Sequence, residues 1–398
     1  MLQLKKYFGP STLIAAAFIG PGTLTTCTMA GVQSGYKLLW ALGFAMVAAT
    51  VLQEMSARLG LITGVGLGDS LRTISRSKLA RVLTTVLVVS AIGIGNAAYE
   101  SGNIAGTTLG AELVFGPWSW WPLVVGLAAG LLLLLGNYQW IERILVALVV
   151  LMACCFLLTA IVISPNVLEI VRGFVPSSFG TDDLLLAVAL VGTTVVPYNL
   201  FLHASVISKK HHGAADLRAV RTENLIAILL GGFISILIVI TAAGSGEAVG
   251  TVTNAGELAV QLEPVLGAFA KYAIGGGLLA AGLSSTLTAP LATGYALRGM
   301  LGWSGTERSV AFRSVVAAIL LAGVVVAMLN IKLLTIIKFA QVTNAVLLPI
   351  IAGFLLWVCN SQQLLGKYTN SMSRNIVACA VVLICIFLSL RTFHKLFF

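Results

Sequence analysis

The stretch Phe18-Ile19-Gly20-Pro21-Gly22-Thr23 interrupts a segment that is otherwise apolar enough to cross a bilayer. Proline lacks a backbone N–H and glycine lacks the Cβ that restricts φ, so a helix opens here and bares N–H and C=O groups at membrane depth. Bare backbone in hydrocarbon is too costly unless it lines an enclosed cavity. The break is therefore read as one wall of a substrate site near the bilayer midplane. The bland alternative is a proline kink between packed helices, since proline is common in membrane spans.

That reading presupposes a membrane, and composition supplies one. The 398 residues are 58% apolar and 10% charged, with a mean hydropathy of +1.00, whereas soluble domains carry roughly a quarter charged residues. Eleven apolar runs of spanning length are expected near 11–33, 38–62, 82–112, 122–137, 143–164, 183–205, 223–246, 265–298, 310–329, 331–359 and 375–393. Loops are short and no linker divides the chain, which predicts one all-α polytopic membrane domain over 1–398. The first run leads into the Gly-Pro-Gly break without a small-residue cleavage site, so the N-terminus is expected to be retained.

Orientation follows from the cations. With the N-terminus cytoplasmic, 17 of 24 Lys and Arg fall on cytoplasmic segments and 7 outside, and an odd number of spans puts the C-terminus outside. The formal charge of +10 is accounted for by this bias and by anionic head groups, with no call for nucleic acid. Gly116-Pro117-Trp118-Ser119-Trp120-Trp121-Pro122 suits an external interfacial turn. The six cysteines lack metal-ligating spacing and read as small apolar residues. No nucleophile, base and orienting acid recur at usable spacing, and the four histidines form no metal triad, so an enzyme is not expected. Glu54 and Arg58, four apart on one helix face, are expected to form an ordinary ion pair.

A second break, Val191-Gly192-Thr193-Thr194-Val195-Val196-Pro197-Tyr198-Asn199, lies inside the sixth span, five spans after the first. Two interrupted spans at corresponding positions are what two inverted five-helix halves provide, here about 11–164 and 183–359, with 375–393 peripheral. Their half-helix N-termini offer free N–H groups and partial positive charge to one central site.

Several stretches resemble the NRAMP-type transporters (natural resistance-associated macrophage proteins) of the amino-acid/polyamine/cation superfamily. They are Gly35-Tyr36-Lys37-Leu38-Leu39-Trp40, Ser56-Ala57-Arg58-Leu59-Gly60 with Thr63-Gly64, Pro197-Tyr198-Asn199-Leu200-Phe201-Leu202-His203, Ala281-Gly282-Leu283-Ser284-Ser285-Thr286-Leu287-Thr288, and Gln341 with Leu348-Pro349. The resemblance runs in order over nearly the whole chain and implies the LeuT-like five-plus-five fold with helices 1 and 6 broken. It places the substrate site at Gly20, Pro21, Gly22, Thr23, Thr193, Val196, Pro197, Tyr198, Asn199 and Gln341.

The ligands depart from the family pattern. Metal-carrying members read Asp-Pro-Gly-Asn at the first break and Met-Pro-His at the second, whereas this chain has Gly20, Thr23, Val196 and Tyr198 at the Asp, Asn, Met and His positions. Without a carboxylate or thioether a divalent ion is left uncompensated. The cradle of Gly20, Gly22 and Thr23 suits a carboxylate, and carbonyls freed near Thr193 to Val196 suit an ammonium. The expected cargo is therefore a small neutral zwitterion such as an amino acid, the alternative being a divalent metal ion held in an atypical site.

For coupling, the resemblance maps the family's acidic pair of the third span onto Glu100 and Asn103, and a family histidine onto His203. Glu100 is read either as a proton carrier or as a partner in a structural hydrogen bond or ion pair, for example with Arg298 or Arg313. His203 is either a proton relay or a packed side chain. Sodium coupling through Ser284-Ser285-Thr286 is less favoured than H⁺, no cofactor or resident metal is expected, and Asn199 and Asn344 are read as gap-fillers.

Overall fold

The computed structural model describes residues 20–75, 77–135, 139–176, 181–211, 213–245, 252, 255–329 and 331–397. Helices α1 (Pro21–Ser34), α2 (Leu39–Thr63), α3 (Leu67–Ile74), α4 (Lys78–Phe115), α5 (Trp121–Leu135), α6 (Gln139–Ile163) and α7 (Val167–Gly173) come first. The second part holds α8 (Thr181–Thr194), α9 (Pro197–Lys210), α10 (Leu217–Gly244), α11 (Ala255–Val260), α12 (Glu263–Leu266), α13 (Ala270–Leu301), α14 (Val310–Met328), α15 (Leu333–Cys359), α16 (Gln362–Leu365) and α17 (Met372–Phe397). Among the described residues nine helical stretches are long and apolar enough to cross a membrane, and Trp121–Leu135 is a shorter apolar helix. The expected spans fall on these helices within a few residues; residues 11–19 of the first span and 136–137 of the fourth lie outside the described residues.

Local chemistry sets the helix ends. Ser77 caps α4 by accepting from the Ala80 N–H at 3.0 Å, and Asn166 and Ser309 cap α7 and α14 in the same way. Helices α2 and α13 stop where Gly64 and Gly302 turn left-handed at φ 68°. The Trp-rich stretch lies between α4 and α5, with Trp118 and Trp120 exposed and the Trp121 Nε1–H donating to the Gly116 carbonyl at 3.0 Å.

Long α4 is the axis of the molecule, packed on α13, α15 and α14. Small residues let these backbones close up: a Cβ on Gly282 of α13 would sit 2.1 Å from the Thr107 Oγ1 of α4, and one on Gly106 would meet Pro21 at 2.0 Å. Helix α1 lies against α10, and α17 packs mainly on α15. Gln261, after α11, donates to the Thr28 hydroxyl of α1 at 2.8 Å and accepts from Thr241 of α10 at 3.2 Å, while Ser34 bonds Asp183 of α8. These contacts hold the far ends of α1, α8 and α10 together.

Glu54 and Arg58 pair as expected, within a larger, partly buried cluster. Arg58 is 0% exposed; its Nε donates to Glu54 at 3.2 Å and its terminal nitrogens to the Tyr368 carbonyl and the Asn370 side chain. Arg221 of α10 holds the same Glu54 oxygen at 2.7 Å. One cluster thus ties α2, α10 and the α16–α17 connection.

Candidate functional site

The second break, and the described side of the first, are built from the residues that announce them. Helix α1 begins at Pro21 behind Gly20, which is extended at φ −90°, ψ 174° and supplies no side-chain cap. The sixth span stops at Thr194, passes through Val195 and an extended Val196 (φ −86°, ψ 122°), and restarts at Pro197. Each proline stands at the first helical position, where its missing N–H costs nothing. Both helices therefore present bare N-terminal N–H groups from inside the protein.

The two breaks face each other. The Thr23 and Thr193 hydroxyls meet at 3.0 Å, joining residues 170 apart in the chain. Gln341 of α15 closes the third side: a Cβ on Gly22 would lie 2.1 Å from its Nε2, and one on Gly192 would lie 2.0 Å from its backbone carbonyl. The Gln341 Oε1 is buried with no hydrogen-bond partner. A buried unpaired acceptor costs roughly 1–3 kcal/mol, which a ligand donor or cation would recover. Asn199, in the first turn of α9, has both side-chain polar atoms buried and unpartnered, and the Asn344 Nδ2 is likewise buried without a partner. Gly20, Pro21, Gly22, Thr23, Thr193, Val196, Pro197, Tyr198, Asn199 and Gln341 are all buried.

Two further residues join them. A Cβ on Gly20 would lie 3.3 Å from the Ser285 Oγ of α13 and 3.6 Å from the Tyr99 hydroxyl of α4. The Ser285 hydroxyl is buried without a partner, and the Tyr99 ring stacks at 5.2 Å on Tyr198. Ser285 was placed by sequence only as a sodium candidate and Tyr99 not at all. Nothing in a Tyr preceding a membrane Glu marks it as a lining residue; the register of α4 does. The expected row of free carbonyls is shortened, because the Val196 carbonyl accepts from the Asn199 N–H at 3.1 Å.

The coupling candidates sit beside this centre. Glu100 points along α4 toward α14, where a Cβ on Gly323 would lie 2.7 Å from its Cγ. Its Oε2 accepts from the Asn103 amide at 3.1 Å, and its Oε1 has no partner. The ion pair with Arg298 or Arg313 is not formed: the Arg298 guanidinium lies over the Tyr295 ring at 5.4 Å, and both arginines belong to the helix ends near Glu307. His203, in the middle of α9, joins its Nδ1 to the Gln53 Oε1 at 2.6 Å and leaves Nε2 buried and unpartnered.

The side chains shown to meet at the centre are neutral: hydroxyls of Thr23, Thr193 and Ser285 and the amide of Gln341, beside the helix-end backbone. Among the described residues no group of three or more His, Cys, Asp and Glu is placed to hold a metal ion.

Residues 11–395 match the family described as "Natural resistance-associated macrophage protein-like" (Nramp). The chain belongs to the Nramp family. It is 31% identical to the "Divalent metal cation transporter MntH" of Bradyrhizobium diazoefficiens, a match covering 75% of this chain and 69% of that protein. It is also 31% identical to the "Metal transporter Nramp3" of Oryza sativa subsp. japonica, over 94% of this chain and 71% of the relative. The Eremococcus coleocola manganese transporter in complex with an aromatic bis-isothiourea compound superposes with a TM-score of 0.78 at 21% identity, covering 96% of this chain and 85% of that one. MhsT in complex with L-phenylalanine superposes with a TM-score of 0.64 at 16% identity, covering 97% and 98%. These two likenesses are of fold, and they establish the LeuT-like architecture of this Nramp chain. It is an integral membrane transporter of that family.

Proposed function

We propose that this Nramp chain is a secondary transporter that carries a hard divalent cation of the manganese or magnesium type between its two helix breaks. The observation that carries the reading is the meeting of both breaks and Gln341 at one buried point, as a midplane binding site requires. The substrate class is supported by relatives named as divalent metal cation and metal transporters. It takes the place of the amino acid that the sequence by itself suggested. An all-oxygen set of Thr23, Thr193 and the Gln341 Oε1 suits an ion that keeps several waters, and the lack of thioether or imidazole at Val196 and Tyr198 disfavours softer metals. Manganese titrated calorimetrically into the purified protein is expected to bind saturably, and Gln341→Leu to abolish the binding. Gly20→Asp, whose Cβ would lie 3.3 Å from the Ser285 Oγ and which restores the acid that metal-carrying relatives hold at this position, is expected to tighten it at least about tenfold. Absence of saturable heat with both manganese and magnesium would sink this reading.

One observation favours a second reading. The two helix N-termini at Pro21 and Pro197 bring partial positive charge and no anion to the centre, which suits a ligand carrying its own carboxylate. A small zwitterion that raises the melting temperature in the absence of any metal response would select it.

For the driving force we favour H⁺ over Na⁺, with Glu100 as the carrier and His203 as a relay. The support is a carboxyl at membrane depth with one oxygen unpartnered and no cation beside it among its hydrogen bonds. In proteoliposomes, uptake is expected to accelerate with an inward proton gradient, and Glu100→Gln to remove the acceleration while preserving binding. Gradient dependence unchanged in that variant would move the proton elsewhere. We place the cation-rich helix ends and the N-terminus in the cytoplasm and the C-terminus outside.

A further inference from the structure

A cleft of about 430 Å³ lies between α5, α13 and α14, away from the central site. Its wall is Leu133 and Leu134 of α5 and Val316 and Leu320 of α14, and Leu134 is 64% exposed on that short apolar helix. Its rim is Arg308 and Arg313, both exposed, one residue before and four after the Ser309 cap of α14. The one acid on the rim is already taken: Glu307 binds Lys209 of α9 and accepts from the Tyr295 hydroxyl at 2.7 Å. Burial by itself raises the Glu307 carboxyl, but hydrogen bonds from Lys209 and Tyr295 and the charges of Lys209 and Arg298 hold it below the ordinary carboxylate range. Among the described residues neither rim guanidinium has an acidic partner.

A cleft with two unpaired cations at its mouth and leucines along its depth is complementary to a molecule with an anionic head and an apolar tail. We propose that it holds one anionic phospholipid of the adjoining leaflet. The phosphodiester sits against Arg308, Arg313 and the bare N–H groups at the start of α14, and an acyl chain lies along Leu134 and Leu320. Arginine suits this role because its planar fork pairs phosphate oxygens two at a time. Each methylene withdrawn from water adds to the retention of the tail, which a free anion lacks. The lipid would bridge α14, which packs on Glu100, to α13, which carries Ser285. Its occupancy does not depend on which solute the centre carries.

The test uses the full chain, purified and incorporated in nanodiscs of phosphatidylcholine with or without phosphatidylglycerol. Native mass spectrometry after release is expected to show one phosphatidylglycerol retained, with a rise of several degrees in melting temperature that phosphatidylcholine does not produce. Both rim arginines are exposed, so Arg308→Gln with Arg313→Gln is expected to fold and to weaken retention at least about tenfold, while Lys367→Gln leaves it unchanged. Leu134→Asn is expected to weaken it as well. Equal retention of the two lipids by the unaltered chain, or unchanged retention in the double variant, overturns the proposal. So does an equal thermal rise with inorganic phosphate, which would make the cleft an anion site without a place for the tail.

Discussion

Gly192→Ala is expected to abolish transport and to destabilise the protein by about 3 kcal/mol, at the upper end of what overpacking costs. The new Cβ would stand 2.0 Å from the Gln341 carbonyl and 3.0 Å from the Ala345 N–H, both of them backbone, so no side chain can swing aside. Either α8 or α15 must shift, and Thr193 and Gln341 sit on those segments. Gly22→Ala is the informative contrast, because its Cβ meets only the end of the Gln341 side chain and a change of rotamer relieves it. Size-exclusion profiles and melting temperatures of the two variants check the ordering, which requires Gly192→Ala to be the more damaging for folding. Gly192→Ala with wild-type stability and uptake would show that the α8–α15 approach is looser than described.

Arg58→Ala is expected to cost about 3 kcal/mol, at the lower end of the range for breaking a buried ion pair, since Arg58 is fully buried and Glu54 only partly so. Its removal strands the Tyr368 carbonyl and the Asn370 side chain and leaves a cavity at a position with no exposure. Glu54 keeps Arg221, so the acid itself does not become an unpaired buried charge, and the loss stays below the most severe cases. Arg58→Lys is expected to recover little, since a point charge cannot serve three partners in different directions. Denaturation monitored by intrinsic tryptophan fluorescence reads both variants. Full rescue by lysine would mean that only the charge at this position matters.

The membrane class, the order of spans and both breaks were legible because they depend on local properties: runs of apolar residues, and Gly and Pro at membrane depth. The pairing of the breaks was legible from their separation by five spans. What escaped were facts of register between distant segments. Tyr99 and Ser285 line the centre because α4 and α13 approach closely at Gly282 and Thr107, which no local pattern reveals. Arg58 reads as one half of an i,i+4 ion pair until Tyr368 and Asn370 arrive from more than 300 residues away. Glu100 was recognised as costly, but its neighbour is Asn103 rather than an arginine, since the arginines of the eighth and ninth spans point to the helix ends. The preference for a zwitterion weighed side-chain charge at single positions, whereas relatives over most of the chain carry metals.

Gln341 is where the two halves of the molecule become one machine. Its amide rests on a residue of the first break and its carbonyl on a residue of the second, so α15 works as a cam between them. A tilt of α15 would move both seats at once, whereas a turn of the Gln341 side chain alone would release only the first. The helix as a body and the side chain as a latch are thus two separate ways to loosen the centre.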